Sequence, residues 1–335
     1  MPRRTFISLV LGVSGNVNAD AGVGIRIPMK KIVTWNREIR AFVSPRCIRR
    51  AIRTRLAEKG MKVDPLILLK EQQKKQLADT GDPFKYVDDD LFGYLSPEKG
   101  KGEIQPSRSS PVKISPLIAL HHTEISVEFA GRFPRSDISA DAPESNPVPF
   151  EVETAQWLGG MHVIISEDIG RFRVDELSKK VLDGLEKGEY AGVVKKDGVV
   201  MLDLNERKKR LKALLEILIK EGWCFPRGSE ATSQPEYHYA IIVMSESFIP
   251  MPNVLKMDQK LKLDVNSVKE ALKIYNWEKA YIIDYENREI HIFNGKNVKR
   301  EGSAERAEIE AEKVDMTEGS LNDVIEALTN FMLRS

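Results

Sequence analysis

Arg46, Arg49, Arg50 and Arg53 fall at i, i+3, i+4 and i+7, directly behind a Ser44-Pro45 step. No other feature constrains the chain as tightly. A serine N-cap followed by proline at the first helical position is a strong helix start. The spacing then puts four guanidiniums on one face of that helix. Ile48, Ala51, Ile52 and Leu56 fall on the other side, an apolar stripe able to pack on a sheet. Upstream, Phe6, Ile7, Leu9, Val10 and Leu11 read as a buried strand that runs into a glycine- and asparagine-rich loop over 12–24. Four like charges on one face repel, so the helix needs a polyanion or several acidic partners. Phosphate matches the guanidinium fork; a solvated or salt-bridged helix face is the alternative.

Charge is unevenly distributed along the chain. Residues 1–62 hold 14 Lys+Arg against 3 Asp+Glu, an excess of 11 positive charges, and the remainder carries an excess of 10 negative ones, leaving +1. A near-neutral chain that concentrates its positive field in one place points to a nucleic-acid surface. The acidic remainder argues against a general DNA coat, and it could dock against the basic part of a neighbouring copy. With 335 residues, 41% of them apolar, there is material for one large domain with insertions or for two smaller ones. No apolar run approaches the ~20 residues of a membrane span. The short run behind Arg3-Arg4 leads into a polar loop instead of a signal-peptide cleavage site. Cys47 and Cys224 stand alone without zinc or disulfide spacing, so a reduced, cytoplasmic setting is expected.

Further along, 64–77 reads as a second helix and 79–110 as a loop-rich insertion. Inside the insertion, Asp88-Asp89-Asp90 could hold a divalent metal. The preferred reading is a docking loop for a basic neighbour, anchored by Leu91-Phe92. Residues 112–133 form a β-compatible run, 132–149 a proline-rich projection suited to reaching a partner, and 150–157 and 161–165 two more strands. A helix over 205–221 ending at Gly222, a strand over 237–244, a hairpin over 280–293 and a closing helix over 321–333 follow. The coarse β-α-β-β-α-β order is that of an α+β, ferredoxin-like RNA-recognition sheet enlarged by insertions. The RNP aromatic motif of such sheets is missing, which leaves recognition to loops and the arginine helix and favours backbone contacts over base reading.

Catalytic chemistry is sparse. Loop 12–24 lacks the Gly-Lys-Ser/Thr of a phosphate loop and the GxGxxG of a dinucleotide site, and no Ser/His/Asp arrangement or HExxH helix is recognisable. His121-His122 sits in the β-compatible run, one ring on each side of the sheet, where a satisfied structural histidine is expected for at least one. Asp20 is the one loop carboxylate placed where an RNA-cleaving protein would want it, although a lone loop aspartate usually serves a turn. No catalytic residue, cofactor or metal site is assigned.

Four segments together resemble the DevR group of CRISPR-associated proteins, the backbone subunits of type I Cascade surveillance complexes. They are Asn16-Val-Asn-Ala-Asp-Ala-Gly22, Ser44-Pro-Arg with Ile48-Arg-Arg-Ala-Ile-Arg53, Asp89-Asp-Leu-Phe-Gly-Tyr94 and Ser110-Pro-Val-Lys-Ile-Ser-Pro-Leu-Ile118. The resemblance implies a hand-shaped protein: a modified RNA-recognition palm (1–62, 111–130 and 158–335), a helical fingers insertion (63–110) and a β-hairpin thumb (131–157). Copies of such subunits stack helically along the spacer of a CRISPR RNA. The thumb of one copy folds over the RNA held by the next, displacing a base at intervals and leaving the others to pair with target DNA in antiviral defence. By the same resemblance Asn16, Asn18, Ser44, Arg46, Arg49, Arg50 and Arg53 lie along the RNA phosphates, with Arg108 and Lys113 as further candidates. The expected partners are CRISPR RNA, target DNA through that RNA, other copies of the chain and other Cascade subunits; no membrane is involved and no enzyme activity is expected. Two rival readings remain: a type III-like subunit that cleaves target RNA with Asp20, and a stand-alone RNA-binding autoregulator.

Overall fold

The computed structural model describes residues 2–22, 24–71, 74–97, 105–135, 139, 141, 146–196, 198–226, 233–295 and 311–334. Parts of the expected fingers (98–104) and thumb tip (136–138, 140 and 142–145) lie outside the described residues.

Strand β1 (Arg4–Ser14) is buried over most of its length and forms the middle of the main sheet. Two short strands, β2 (Arg26–Ile27) and β3 (Lys31–Val33), and then β4 (Ile39–Val43), lead into helix α1 (Pro45–Glu58), whose start is capped as expected by Ser44 Oγ accepting the Cys47 N–H. Next come a hairpin of β5 (Ile67–Glu71) and β6 (Lys74–Ala78), helix α2 (Val87–Phe92), and the pair β7 (Tyr94–Leu95) and β8 (Ser107–Arg108). Strands β9 (Val112–Ile114) and β10 (Leu117–Ala119) precede a ribbon of β11 (Ser126–Arg132) and β12 (Val148–Thr154), which continues into β13 (Gln156–Ser166). A small unit follows, built from β14 (Arg171–Arg173), α3 (Lys179–Glu186), β15 (Val193–Lys196) and β16 (Val199–Leu202). Helix α4 (Leu204–Glu216) widens into a π-helical turn over 217–221 that Gly222 ends at positive φ. The chain closes with β17 (Glu236–Ser245), α5 (Met251–Val254), α6 (Val265–Leu272), the hairpin β18 (Lys279–Asp284) and β19 (Glu289–Asn294), β20 (Ala311–Asp315) and α7 (Glu318–Leu333).

The main sheet runs in the order β20-β19-β18-β17-β1-β13-β10-β4-β3, with β9 also paired to β13, and its neighbours are antiparallel. Its centre, β17-β1-β13-β10 with α1 and α4, follows the β-α-β-β-α-β order read from the sequence. Strand alternation gives each face its own core. Ile7, Leu9, Leu11 and Met161 pack with Ile48 and Ile52 of α1, Leu214 of α4 and Leu328 of α7. On the opposite face Phe6, Ile241, Val243 and Ile282 are covered by Ile249, Met251, Val254, Val268 and Leu272. Gly159 is needed where β13 crosses this centre, because a Cβ there would meet the Trp157 ring at 2.5 Å and Leu117 at 2.9 Å.

Three sequence expectations change. Residues 64–77 form the β5–β6 hairpin, not a helix, because the buried Asp64 carboxylate ties its two ends together, accepting from Leu66 N–H at 2.8 Å and Thr80 N–H at 2.7 Å. The 112–133 run divides into three strands, and His121-His122 lies in the bend after β10, where His121 Nε2 accepts the Leu158 N–H at 3.2 Å. Asp88-Asp89-Asp90 is not a docking loop for a neighbour: it lies in α2, and all three residues are buried. Asp90, fully inaccessible, accepts from Arg108 at 2.8 Å, from Arg210 at 3.0 Å and from Gly170 N–H at 3.0 Å, so two equally buried guanidiniums from β8 and α4 close on it. The glycine of the same motif lets the chain pass, since a Cβ on Gly93 would lie 2.3 Å from the Arg108 carbonyl.

An Asp90→Ala variant removes the buried carboxylate that Arg108 and Arg210 share, leaving them only Glu176 and Glu206 as acidic partners. Urea unfolding should show a loss of about 3–5 kcal/mol, with Asp90→Asn falling between the two.

Candidate nucleic-acid interface

Helix α1 turns Ile48, Ala51, Ile52 and Leu56 into the core and leaves its basic residues on the rim. The structure sorts those cations by partner. Arg55 pairs with Glu58 and, at 3.1 Å, with Glu221, while Lys59 reaches Glu216 at 2.6 Å and Glu221 at 2.7 Å. Arg53 is held by Asp88 at 2.8 Å. Arg46, Arg49 and Arg50 have no carboxylate partner among the described residues, and Arg46 and Arg50 are exposed. Arg49 is half-buried, with its Nε lacking a hydrogen-bond acceptor and its guanidinium 5.9 Å from the Phe92 ring centroid. Burial, then the neighbouring charges of Arg53 and Arg46, pulls Arg49 below the usual arginine range. A phosphate among these three would relieve both effects.

The asparagine loop lies against the start of the helix. Ser44 N–H donates to Asn18 Oδ1 at 2.8 Å, Lys30 N–H to the Asn18 carbonyl at 3.0 Å, and Asn16 Nδ2 to the Ile27 carbonyl at 3.3 Å. The Asn18 and Ser44 side chains are thus spent on the loop and the cap. Sequence reasoning missed what holds this loop in place. Glu153 of β12, 4% exposed, accepts from Met29 N–H at 3.0 Å and Lys31 Nζ at 2.8 Å and pairs with Arg26 at 3.1 Å. Burial pushes this carboxyl up, but the hydrogen bonds from Lys31 and Met29 outweigh it and hold it below the usual range. Together with the parallel pairing of β2 and β12, Glu153 fixes the β11–β12 ribbon to the loop that borders α1.

Two sequence candidates do not join this group. Arg108 is 5% exposed and its guanidinium donates to Asp90, Glu176 and the carbonyls of Asp168 and Arg171, so it is a strut of the fold. Lys113 is exposed, but Val112 and Ile114 beside it face the α1 side, so the pleat sends Lys113 to the opposite face of the sheet. Asp20 is exposed, and its Oδ1 accepts the Ala21 N–H at 2.9 Å, the turn role expected of a lone loop aspartate.

The acidic residues converge elsewhere. Carboxylate oxygens of Asp64, Asp79 and Asp89 all lie within 4.8 Å of one another. Such a trio can chelate a hard cation or share a proton. Burial, then the charges of Asp64 and Asp88, pushes Asp89 up to about 8, which favours its neutral form at pH 7.

A family model described as CRISPR-associated negative auto-regulator DevR/Csa2 matches residues 53–265, more than half of the chain. The chain belongs to this family. The matched segment contains the Asp89–Tyr94 and Ser110–Ile118 motifs. A curated relative, the CRISPR-associated protein Cas7/Cst2/DevR of Myxococcus xanthus (strain DK1622), is 29% identical over 157 residues, 43% of this chain and 50% of the relative. The chain therefore spans about half the length of that relative. Among solved structures, a chain of a CRISPR RNA-guided surveillance complex, pre-nicking, superposes with a TM-score of 0.56 at 11% identity, covering 97% of this chain and 99% of that one. The mixed α/β fold with its large antiparallel sheet is the fold of that chain.

Asp89 also makes stability depend on pH. Its carboxyl titrates near 8 in the folded state and near 3.9 in an unfolded chain. Its contribution is therefore intact below about 3.9 and is lost progressively as pH rises from there to about 8. Thermal melts should show Asp89→Asn equal to the parent near pH 4 and more stable than it near pH 9, with the gap widening between.

Proposed function

We propose that the chain is a non-catalytic backbone subunit of a type I, Cascade-type surveillance complex, binding CRISPR RNA by its phosphates in the cytoplasm. The observation that carries this reading is the trio Arg46, Arg49 and Arg50, left without carboxylate partners among the described residues and set beside the asparagine loop in a chain of this family and fold. Arg53 borders the trio while keeping its bond to Asp88. Asn16, Asn18 and Ser44 shape the backbone along which the strand passes. A surface that must accept any spacer grips phosphate and ignores bases, which leaves the bases free to pair with target DNA.

On this reading the main sheet and its helices act as the palm, residues 63–110 as fingers, and the ribbon containing 131–157 as the thumb. The ribbon leaves Val127, Phe129 and Val148 exposed at 47%, 69% and 63%, apolar surface that an isolated copy does not cover. A thumb that reaches the RNA held by the next copy makes a heterologous contact, and repetition of such a contact extends an open filament.

Arg46→Ala with Arg50→Ala should weaken binding of unrelated single-stranded RNAs about equally. The dependence of log K on log salt should become shallower by roughly 0.7 for each phosphate no longer neutralised. A loss confined to particular sequences contradicts the backbone grip. Short CRISPR RNA should co-purify with the chain, which a free-standing regulator would lack, and complementary RNA should stay uncut by both the wild type and Asp20→Ala.

A further inference from the structure

Trp35 is 96% exposed, the most exposed large apolar side chain of the described residues. The other three tryptophans differ: Trp157 and Trp223 are buried at 3% and 1%, and Trp277 is partly buried with its Nε1 donating to the Leu272 carbonyl. The exposure of Trp35 does not come from a loose segment. Its turn, between β3 and β4, is closed by Thr34 N–H donating to the Glu38 carbonyl at 2.9 Å, Arg37 N–H to the Thr34 carbonyl at 2.9 Å and Glu38 N–H to Thr34 Oγ1 at 3.1 Å. Arg37 takes the left-handed conformation that the turn requires, at φ 64°. The indole is held out on a braced tip.

Its surroundings are cationic. Between residues 25 and 43 the chain carries Arg26, Lys30, Lys31, Arg37 and Arg40 against the single acid Glu38. Glu153 occupies Arg26 and Lys31, and Glu38 occupies Arg40. Lys30 and Arg37 have no carboxylate partner among the described residues. Lys30 sits at the helix end of this track: Phe42 N–H donates to its carbonyl at 3.1 Å, and its charge and that of Arg50 both act on the Cys47 thiol. From Lys30 the edge strand runs to Trp35, five residues or roughly 15 Å of extended chain. Unpaired cations therefore lead from the arginines of α1 to one exposed ring.

We propose that Trp35 is a stacking platform for an unpaired base of the bound RNA strand, at the far end of the track that begins on α1. The inference rests on the RNA-binding reading above. Stacking on an indole tolerates every base, so it adds affinity without reading sequence. The apolar ledge, Trp35 with Val33 and its cross-strand partner Ile39, is three side chains wide. That suits a nucleobase and falls well short of the ~800 Å² per partner typical of a stable protein interface.

The test uses the full chain with a labelled single-stranded RNA of mixed sequence, read by anisotropy and by tryptophan emission. Wild-type emission should be quenched by RNA, and the quenching should vanish in Trp35→Phe, whose affinity stays near the parent's. Trp35→Ala should weaken binding about tenfold with an unchanged salt slope, because the same phosphates stay neutralised. Unchanged affinity in Trp35→Ala, with no quenching in the wild type, overturns the inference and leaves the RNA reading standing. Absence of any RNA binding by the wild type at low salt sinks that reading and the platform with it. A concentration-dependent blue shift of the Trp35 emission without RNA assigns the ring to a protein contact, and also overturns the inference.

Discussion

The buried acidic run in α2 decides which arginines of this chain are structural. Asp90 takes Arg108 and Arg210, whose side chains are 2% exposed, and Asp88 takes Arg53. A buried guanidinium costs more than its ion pair returns unless its remaining donors are also satisfied. Here they are: Arg108 donates to the carbonyls of Asp90, Asp168 and Arg171, and Arg210 to those of Pro83 and Phe84. One carboxylate thus joins the insertion after α1, the start of β14 and helix α4. This run uses up the arginines that point inward, while its end, Asp88 and Phe92, borders Arg53 and Arg49 of α1.

The same sorting reduces the exposed positive charge of the strongly basic first part of the chain. Part of the acidic remainder is spent within the chain. Glu216 and Glu221 take Arg55 and Lys59, and Glu153 takes Arg26 and Lys31. Among the described residues of this part, the cations left without a carboxylate are Arg4 and Lys62, the row Arg46, Arg49 and Arg50 at the start of α1, and Lys30 and Arg37. The local excess of charge is reduced to a few cations, of which those on α1 lie next to one another.

Much of the frame was legible in the sequence, because its signals are local. The apolar run of β1, the Ser44-Pro45 cap, the leucine stripe of α4 ended by Gly222, and the hairpin turning at Glu286-Asn287 each need only their neighbours in sequence. Two of the failures depend on partners farther along the chain. Asp88-Asp89-Asp90 reads as exposed until Arg108 and Arg210, 18 and 120 residues away from Asp90, are brought to it. The 64–77 segment has helix-forming residues, yet Asp64 binds both ends and favours a hairpin. Lys113 needed only a count by two from Val112 and Ile114 to be set on the other face. Trp35 was also readable, as a lone aromatic in a Thr-Trp-Asn-Arg turn, though nothing in the sequence says that it stays uncovered.

If the chain grips RNA as proposed, the covered sheet accounts for a grip at the margin. RNA-recognition sheets present aromatic side chains on the face opposite their helices and stack bases there. In this chain that face, over β1, β17 and β18, is filled by the segment bearing α5 and α6, and Phe6, which occupies a central position on it, is fully buried. Bases cannot reach it without displacing Ile249, Met251, Val254 and Leu272. An RNA strand is left with the margin: the loop after β1, the exposed start of α1, and the β3–β4 edge. On the RNA-binding reading, a margin of cations would hold a strand by its backbone, with one base stacked on the braced ring and the others pointing away, free to pair.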